Sequence, residues 1–495
     1  MPSTDQISSP PAAPSARARL PRRAFLQASA AAALTAGLSP RRAAATPMPL
    51  IAAPCAAGKA RNIIFMVADG MSAGTLTLAD TMIRDRDGRP SHWVSLWNQP
   101  GVRRAMVSTA CADSMVTDSA AAGSAWGCGV HVGIGALNVG LDGTQHMPIL
   151  VRAAQAGKAT GVVTTTRVTH ATPASFVVNI PQRDLEDAIA EQMIERRIDV
   201  ILGGGAKHFP HSLLSDKSDL SVVRTRQELL SDARLPGRLL GLFADAHMPF
   251  EVERPDTVPT LAEMTRAAIA RLEQHPEGFV LQVEGGRVDH AAHNNDAGSL
   301  VREQMEFDAA IAAVNHFARQ RDDTLVIITT DHGNANPGLT VYGPSARKGV
   351  DKLAGVKKSF DWIIGTLQKL GPGAELGEAM NSAILQATDV EFDPASLRMA
   401  IAAYRGERVA PFLEQQFPSV LGGLLANSFG VSFISPHHTA DHVEATAYGP
   451  GAELLPQFVD NIELHGLMVE ALALPQATRL PGMDLKMRMR TVAPD

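Results

Sequence analysis

Cysteine is nearly missing from this chain. Cys55, Cys111 and Cys128 are the three in 495 residues. At most one intramolecular bridge can form from them, so no disulfide framework holds the fold together. Cys111 and Cys128 flank a serine-bearing stretch and either bridge or stand as two free thiols. Membrane-length apolar runs are scarce too: the Ala-rich run from Ala28 to Leu38 is too short to span a bilayer comfortably. No fixed-period repeat is visible. A surplus of positive charge is likewise absent. The net charge is −6, and residues 1–45 carry six arginines against Asp5, so the chain without them stands at −11. An acidic body excludes nucleic acid as a dedicated partner, because phosphate backbones are bound by basic surfaces.

What is present begins with an export signal. Arg22-Arg23-Ala24-Phe25-Leu26 precedes the apolar run, and Ala43-Ala44-Ala45 follows it with the small residues of a cleavage site. The paired arginines resemble a twin-arginine signal, which predicts a periplasmic or secreted protein with no stable membrane anchor. An Ala-rich linker or a retained anchor is the competing reading. The whole chain, whose body is 46–495, has 45% hydrophobic content and a mean hydropathy near zero, as globular proteins do.

Continuous apolar runs at Asn62–Ala68, Thr160–Thr165, Ile198–Leu202, Phe279–Val283 and Thr324–Thr330 read as buried strands. Helical patterns alternate with them at Leu185–Arg197, Leu261–Glu273 and Ser299–Arg319, and a last helix is expected around Val459–Leu474. Val443–Tyr448 reads as a late strand. This alternation predicts an α/β three-layer sandwich: a mostly parallel central sheet with helices on both faces. The stretch 336–436 breaks the rhythm and reads as an insertion on the catalytic edge.

Short runs of Asp, Glu and His follow the strands. They are Val67-Ala68-Asp69-Gly70, Thr165-Thr166-Arg167-Val168-Thr169-His170-Ala171-Thr172, Gln282-Val283-Glu284-Gly285-Gly286-Arg287-Val288-Asp289-His290-Ala291-Ala292-His293 and Thr329-Thr330-Asp331-His332-Gly333. Ligands bind outside the carboxyl ends of strands in open α/β sheets, so these runs are expected to share one crevice. Asp69-Gly70 is either a plain turn or a carboxylate able to bridge two cations. Asp289 and His293, four residues apart, share one helical face and are either a solvated pair or metal ligands. Asp331-His332 is either a cap with a surface histidine or a pair turned into the site by Gly333. Ser119, in Thr117-Asp118-Ser119-Ala120-Ala121-Ala122-Gly123, opens a helical stretch as an N-cap, a nucleophile, or both. No Gly-x-Ser-x-Gly elbow is expected in the chain, so a metal is the natural substitute for a histidine base. Arg183, thirteen residues after His170, is either a surface arginine or a phosphate clamp.

Taken together and in this order, these segments resemble the alkaline phosphatase family, and the resemblance runs from about Asn62 to Gly451. It implies a phosphomonoesterase with Ser119 as a nucleophile that becomes phosphoserine. It implies one zinc held by Asp289, His293 and His438, a second held by Asp69, Asp331 and His332, and a third cation, Mg²⁺, among Asp69, Thr172 and Glu284. Arg183 would grip the phosphate, with His170 and His290 beside the substrate. Some members carry Asp and Lys at those two positions, which leaves the third cation's identity open. His438 is chosen over His437 because the family's ligand lies eleven residues before the Gly of a Gly-Pro pair, here Gly449. Small phosphate monoesters would be the substrates, and the family implies a homodimer. A phosphodiesterase or sulfatase relative on the same core, or a non-catalytic metal- or phosphate-binding protein, are the alternatives. Neither Cys111 nor Cys128 has the Cys-x-Pro-x-Arg context that a sulfatase requires.

Overall fold

The computed structural model describes residues 60–231, 237–340, 342–371, 375–409 and 415–475. The expected signal, residues 1–45, and Cys55 lie outside them. Ten strands form the main sheet: β1 Asn62–Ala68, β2 Arg103–Ser108, β3 Ala159–Arg167, β4 Val200–Gly204, β5 Leu220–Val223, β6 Arg238–Leu242, β7 Phe279–Gly285, β8 Thr324–Thr329, β9 Val443–Tyr448 and β10 Phe458–Asp460. Their spatial order is β10-β2-β9-β8-β1-β7-β3-β4-β6-β5. Every pairing is parallel except those of β9 with β2 and β8.

The arrangement follows from where apolar side chains go. β1 and β8 are buried along their whole length, as strands covered on both faces must be. Alternate residues of β1 serve opposite layers. Ile63, Phe65 and Val67 join one core cluster; Ile64, Met66 and Ala68 join the other.

The helices used below are α1 Ala73–Asp87, α2 Ser119–Cys128, α3 Ala171–Ser175, α4 Leu261–Leu272, α5 Arg287–His293, α6 Ala297–Ala318, α7 Pro344–Ala354, α8 Phe360–Gln368, α9 Leu376–Thr388, α10 Pro394–Tyr404, α11 Phe417–Phe429 and α12 Glu463–Ala471. Trp126 of α2 and Leu464 and Met468 of α12 cover the first face; α4 and α6 cover the second. Helices α7 to α11 build a third cluster, in which Ile363, Met380, Ile384, Leu421 and Leu425 pack with Leu78 and Met82 of α1 and Val301 of α6.

Register brings the motif runs together. β8, β1, β7 and β3 are consecutive in the sheet and mutually parallel. Val67 lies level with both Glu284 and Thr329, and Thr164 lies level with Glu284. The four chains therefore leave the sheet side by side. A two-residue ribbon pairs His438 with Asn334, which returns the late histidine to the Asp331-His332 turn.

The small residues of α2 have a packing reason. A Cβ on Gly123 would meet Ser175 Oγ at 2.5 Å, because α2 crosses α3 at close range. Gly123→Val is expected to cost about 1–3 kcal/mol by overpacking. It should also lower catalytic efficiency, since α3 carries Thr172; calorimetry and steady-state kinetics on one preparation check both.

Two expectations needed correction or resolution. The last helix starts at Glu463 rather than Val459, because Phe458–Asp460 pairs as an edge strand with β2. Cys111 and Cys128 are both free and half-buried. No helix among the described residues is long and apolar enough to cross a membrane.

Candidate active site

Four carboxylates, Asp69, Glu284, Asp289 and Asp331, are at most 5% exposed. Asp69 Oδ1 and Glu284 Oε1 have no hydrogen-bond partner. Buried charge is costly unless paired or metal-bound. Burial, and then the charges of Asp331, Asp289 and Glu284, push Asp69 well above the usual carboxylate range. The turn that gathers them needs a glycine. Gly70 has φ +66°, and a Cβ there would lie 2.4 Å from Asp289 Oδ1. Its N–H donates to Asp331 Oδ1 at 2.9 Å. So Asp69-Gly70 is both a turn and a wall of the site.

Asp289, His293 and His438 bring donor atoms within 4.8 Å of one another. His293 Nδ1 lies 2.7 Å from the Pro436 carbonyl, and His438 Nδ1 lies 2.8 Å from that of Thr117. A carbonyl only accepts, so both Nδ1 atoms carry hydrogen and both Nε2 atoms face Asp289, at 3.3 and 3.5 Å. The two Nε2 atoms are 3.0 Å apart. Against its burial, the two imidazoles hold Asp289 well below the usual range; against their burial, Asp289 raises His293 to about 9 and His438 above its ordinary value. Carboxylate and imidazole in this disposition fit Zn²⁺.

Asp69, Asp289 and His332 form a second convergent group. Asp331 stands at its side, with Oδ2 at 3.1 Å from His332 Nε2 and Oδ1 accepting from the His332 N–H. Burial opposes ionisation of Asp331, but His332 outweighs it and lowers the carboxyl. Asp289 is thus common to both groups.

The third group is Asp69, Glu284 and His170, with Thr172 Oγ1 donating to Asp69 Oδ2 at 3.2 Å. It mixes oxygen with an imidazole rather than offering oxygen alone. Burial raises Glu284 to about 7, although the Thr164 and Thr166 hydroxyls donate to its Oε2. His170, His290 and His247 cluster edge to face, with centroids 5.6, 5.6 and 4.3 Å apart. Burial and neighbouring cations push all three down: His290 to about 3, with Arg287 adding to burial, and His170 well below its ordinary value, with Arg183 adding.

Ser119 is the first residue of α2, and Asp118 is its N-cap, with Oδ1 accepting from Ala121 N–H at 3.0 Å. The capping role falls to Asp118, which leaves the Ser119 hydroxyl for another partner. Ser119 Oγ lies 3.3 Å from His332 Nε2. Asp118 Oδ2 accepts from Arg183 Nη1 at 3.0 Å and from the Gly135 N–H at 3.2 Å. Arg183 Nη2 donates to His170 Nε2 at 2.9 Å. One aspartate therefore caps the serine's helix and aims the arginine. Asp118→Ala is expected to lose about 1 kcal/mol of stability from the missing cap. It should also raise KM more than it lowers kcat; calorimetry and phosphate-ester kinetics separate the two effects.

All twelve residues singled out from sequence thus meet at one end of the sheet. Several of their supports were missed. Asn334 donates to Asp289 Oδ1 at 2.7 Å and follows the Asp331-His332-Gly333 run, which was its only signal. Thr164 and Thr166, under Glu284, belong to a Thr-rich strand end that could have been noticed. His247 gave none: it is a lone imidazole in a loop, bonded to Arg167. The expectation that the chain has no Gly-x-Ser-x-Gly spacing is corrected: it occurs at Gly70-Met71-Ser72-Ala73-Gly74 after β1. Ser72 Oγ there is engaged by Asn334 O at 2.9 Å and Asn336 Oδ1 at 2.6 Å, which makes it structural rather than nucleophilic.

A family model described as alkaline phosphatase matches residues 60–364, more than half of the chain. This protein belongs to the alkaline phosphatase family. It is 30% identical over 426 residues to alkaline phosphatase 4 of Bacillus subtilis, across 83% of this chain and 88% of that protein. It is 28% identical to alkaline phosphatase 3 of the same organism, over 83% of this chain and 89% of the relative. Among solved structures, Thermus thermophilus alkaline phosphatase superposes with a TM-score of 0.77 at 35% identity, covering 84% of this chain and 92% of that one. As an alkaline phosphatase the chain is a phosphoric monoester hydrolase of a metal-dependent family.

Proposed function

We propose that this alkaline phosphatase is exported and hydrolyses phosphate monoesters through a phosphoserine on Ser119, with two zinc ions and one magnesium ion. Asp289, His293 and His438 would hold one zinc, and Asp69, Asp331 and His332 the other. Asp69, Thr172 and Glu284 would hold magnesium, with His170 at its edge. When bound, the cations would lower the serine's pKa and neutralise charge on the phosphoryl oxygens. The observation that carries the reading is the placement of Ser119 Oγ at 3.3 Å from an imidazole that itself faces two buried carboxylates.

The chain's own groups then divide the work. Ser119 Oγ attacks phosphorus in line with the ester oxygen, the alcohol leaves, and water later cleaves the phosphoserine. Arg183, aimed by Asp118 and His170, binds two non-bridging oxygens and holds them through both steps. His290 stands beside the phosphate as a neutral donor. Residues 1–45 serve as the twin-arginine leader, 336–436 as an insertion at the catalytic edge, and the protein pairs as a homodimer.

The test is hydrolysis of p-nitrophenyl phosphate and of bis-p-nitrophenyl phosphate by the mature protein. Each is measured as purified, after EDTA, and after return of Zn²⁺ with or without Mg²⁺. Monoester activity that EDTA abolishes and zinc restores is expected, rising toward alkaline pH. Preference for the diester, or activity indifferent to EDTA, would overturn the reading.

A further inference from the structure

Helix α5 carries Asp289, His290 and His293, and it opens with Arg287. That guanidinium is buried, its side chain 10% exposed, with Cζ 3.6 Å from the Phe250 ring centroid. Its fork is shared between two partners. Nη1 donates to His290 Nδ1 at 2.8 Å, and Nη2 donates to Asp361 Oδ2 at 3.3 Å. Arginine has only donors, so His290 Nδ1 accepts and the imidazole proton resides on Nε2.

Asp361 comes from the first turn of α8, among the helices of the third cluster. It is held there firmly. Ser359 Oγ accepts from Trp362 N–H at 3.1 Å and donates to Glu253 Oε1 at 2.7 Å; the Phe360 N–H donates to Asp296 Oδ2 at 2.8 Å. The second oxygen of Asp361 accepts from Asn294 Nδ2 at 2.9 Å, at the C-terminal end of α5. Asp361 thus braces α5 at both ends, although it is itself 47% exposed. Without it, Glu303 and Glu253 are the acidic side chains left near Arg287, and the fork is free to turn toward them.

We propose that Asp361 is a positioning residue for phosphate binding: it holds Arg287 in place, and Arg287 in turn fixes His290 as an Nε2–H donor. The proposal rests on the reading above, in which His290 stands beside the phosphate. It gives the inserted helices a part in the site that no motif in them suggests.

The experiment compares wild type, Asp361→Ala, Asp361→Asn, His290→Ala and the Asp361→Ala/His290→Ala pair, all loaded with zinc and magnesium. Inorganic phosphate affinity is measured by calorimetry, beside KM and kcat for p-nitrophenyl phosphate. His290→Ala and Asp361→Ala should each weaken phosphate binding by roughly tenfold, the scale of outer-sphere losses, and raise KM more than they change kcat. Asp361→Asn, which keeps one acceptor, should fall between, and the double variant should bind phosphate no worse than His290→Ala. Wild-type affinity in Asp361→Ala beside a weakened His290→Ala would overturn the proposal and leave the reading of His290 intact. Losses that multiply in the double variant would also overturn it, since Asp361 would then act through another route such as Asn294. A His290→Ala protein with unchanged affinity would remove the reading and the proposal together.

Discussion

Ser119→Ala is expected to lower monoester turnover by at least about a thousandfold, equivalent to about 4 kcal/mol of barrier. It should still bind its full complement of metal. The size follows from removing the atom that forms the covalent bond, while Arg183 remains to grip phosphate and the carboxylate groups remain to hold the cations. The variant should fold normally, because the helix is capped by Asp118 and the Ser119 hydroxyl has a single partner in His332. Zinc analysis and calorimetry run beside the kinetics show whether the loss is chemical. Near wild-type turnover would mean that water, and not the serine, attacks phosphorus.

Asp289→Asn is expected to act in the opposite way: it should lose metal as well as turnover. Asp289 is shared by two convergent groups, and it is the carboxylate on which the Nε2 atoms of His293 and His438 converge. Removing its charge weakens one group outright and loosens the second. Cation chemistry at phosphoryl oxygens is worth several kcal/mol, so turnover should fall by about a thousandfold or more at limiting zinc. Excess zinc should recover part of it, whereas no metal should rescue Ser119→Ala. Elemental analysis after gel filtration is the check, and wild-type zinc content would show that Asp289 is not a ligand.

Much of this was legible in the chain because the central strands are buried on both faces. β1 and β8 read as nearly unbroken apolar runs and β7 as one broken only by Gln282, and the acids and histidines at their ends were conspicuous because nothing in a packed interior calls for them. Which strands were neighbours could not be read, yet it decides which carboxylates meet. Two strands toward the sides of the sheet were hidden for a physical reason. β2 is half-exposed and begins with two arginines, and β5 is a short, mostly surface-facing strand, so neither shows an apolar run. The double duty of Asp118 was also out of reach: a capping aspartate is ordinary in sequence, and only the fold brings Arg183 to its second oxygen. Asp361 lies in a stretch with no motif at all, and its importance depends on where α8 docks.

The measurement that tests the account most directly is acid quenching of the enzyme during turnover of a phosphate monoester, followed by mass spectrometry of its peptides. A single phosphoryl group on Ser119, absent after EDTA treatment and absent in Ser119→Ala, is the predicted result. Rapid turnover with Ser119 unmodified under every quench condition, or a phosphoryl group carried by another residue, would contradict it.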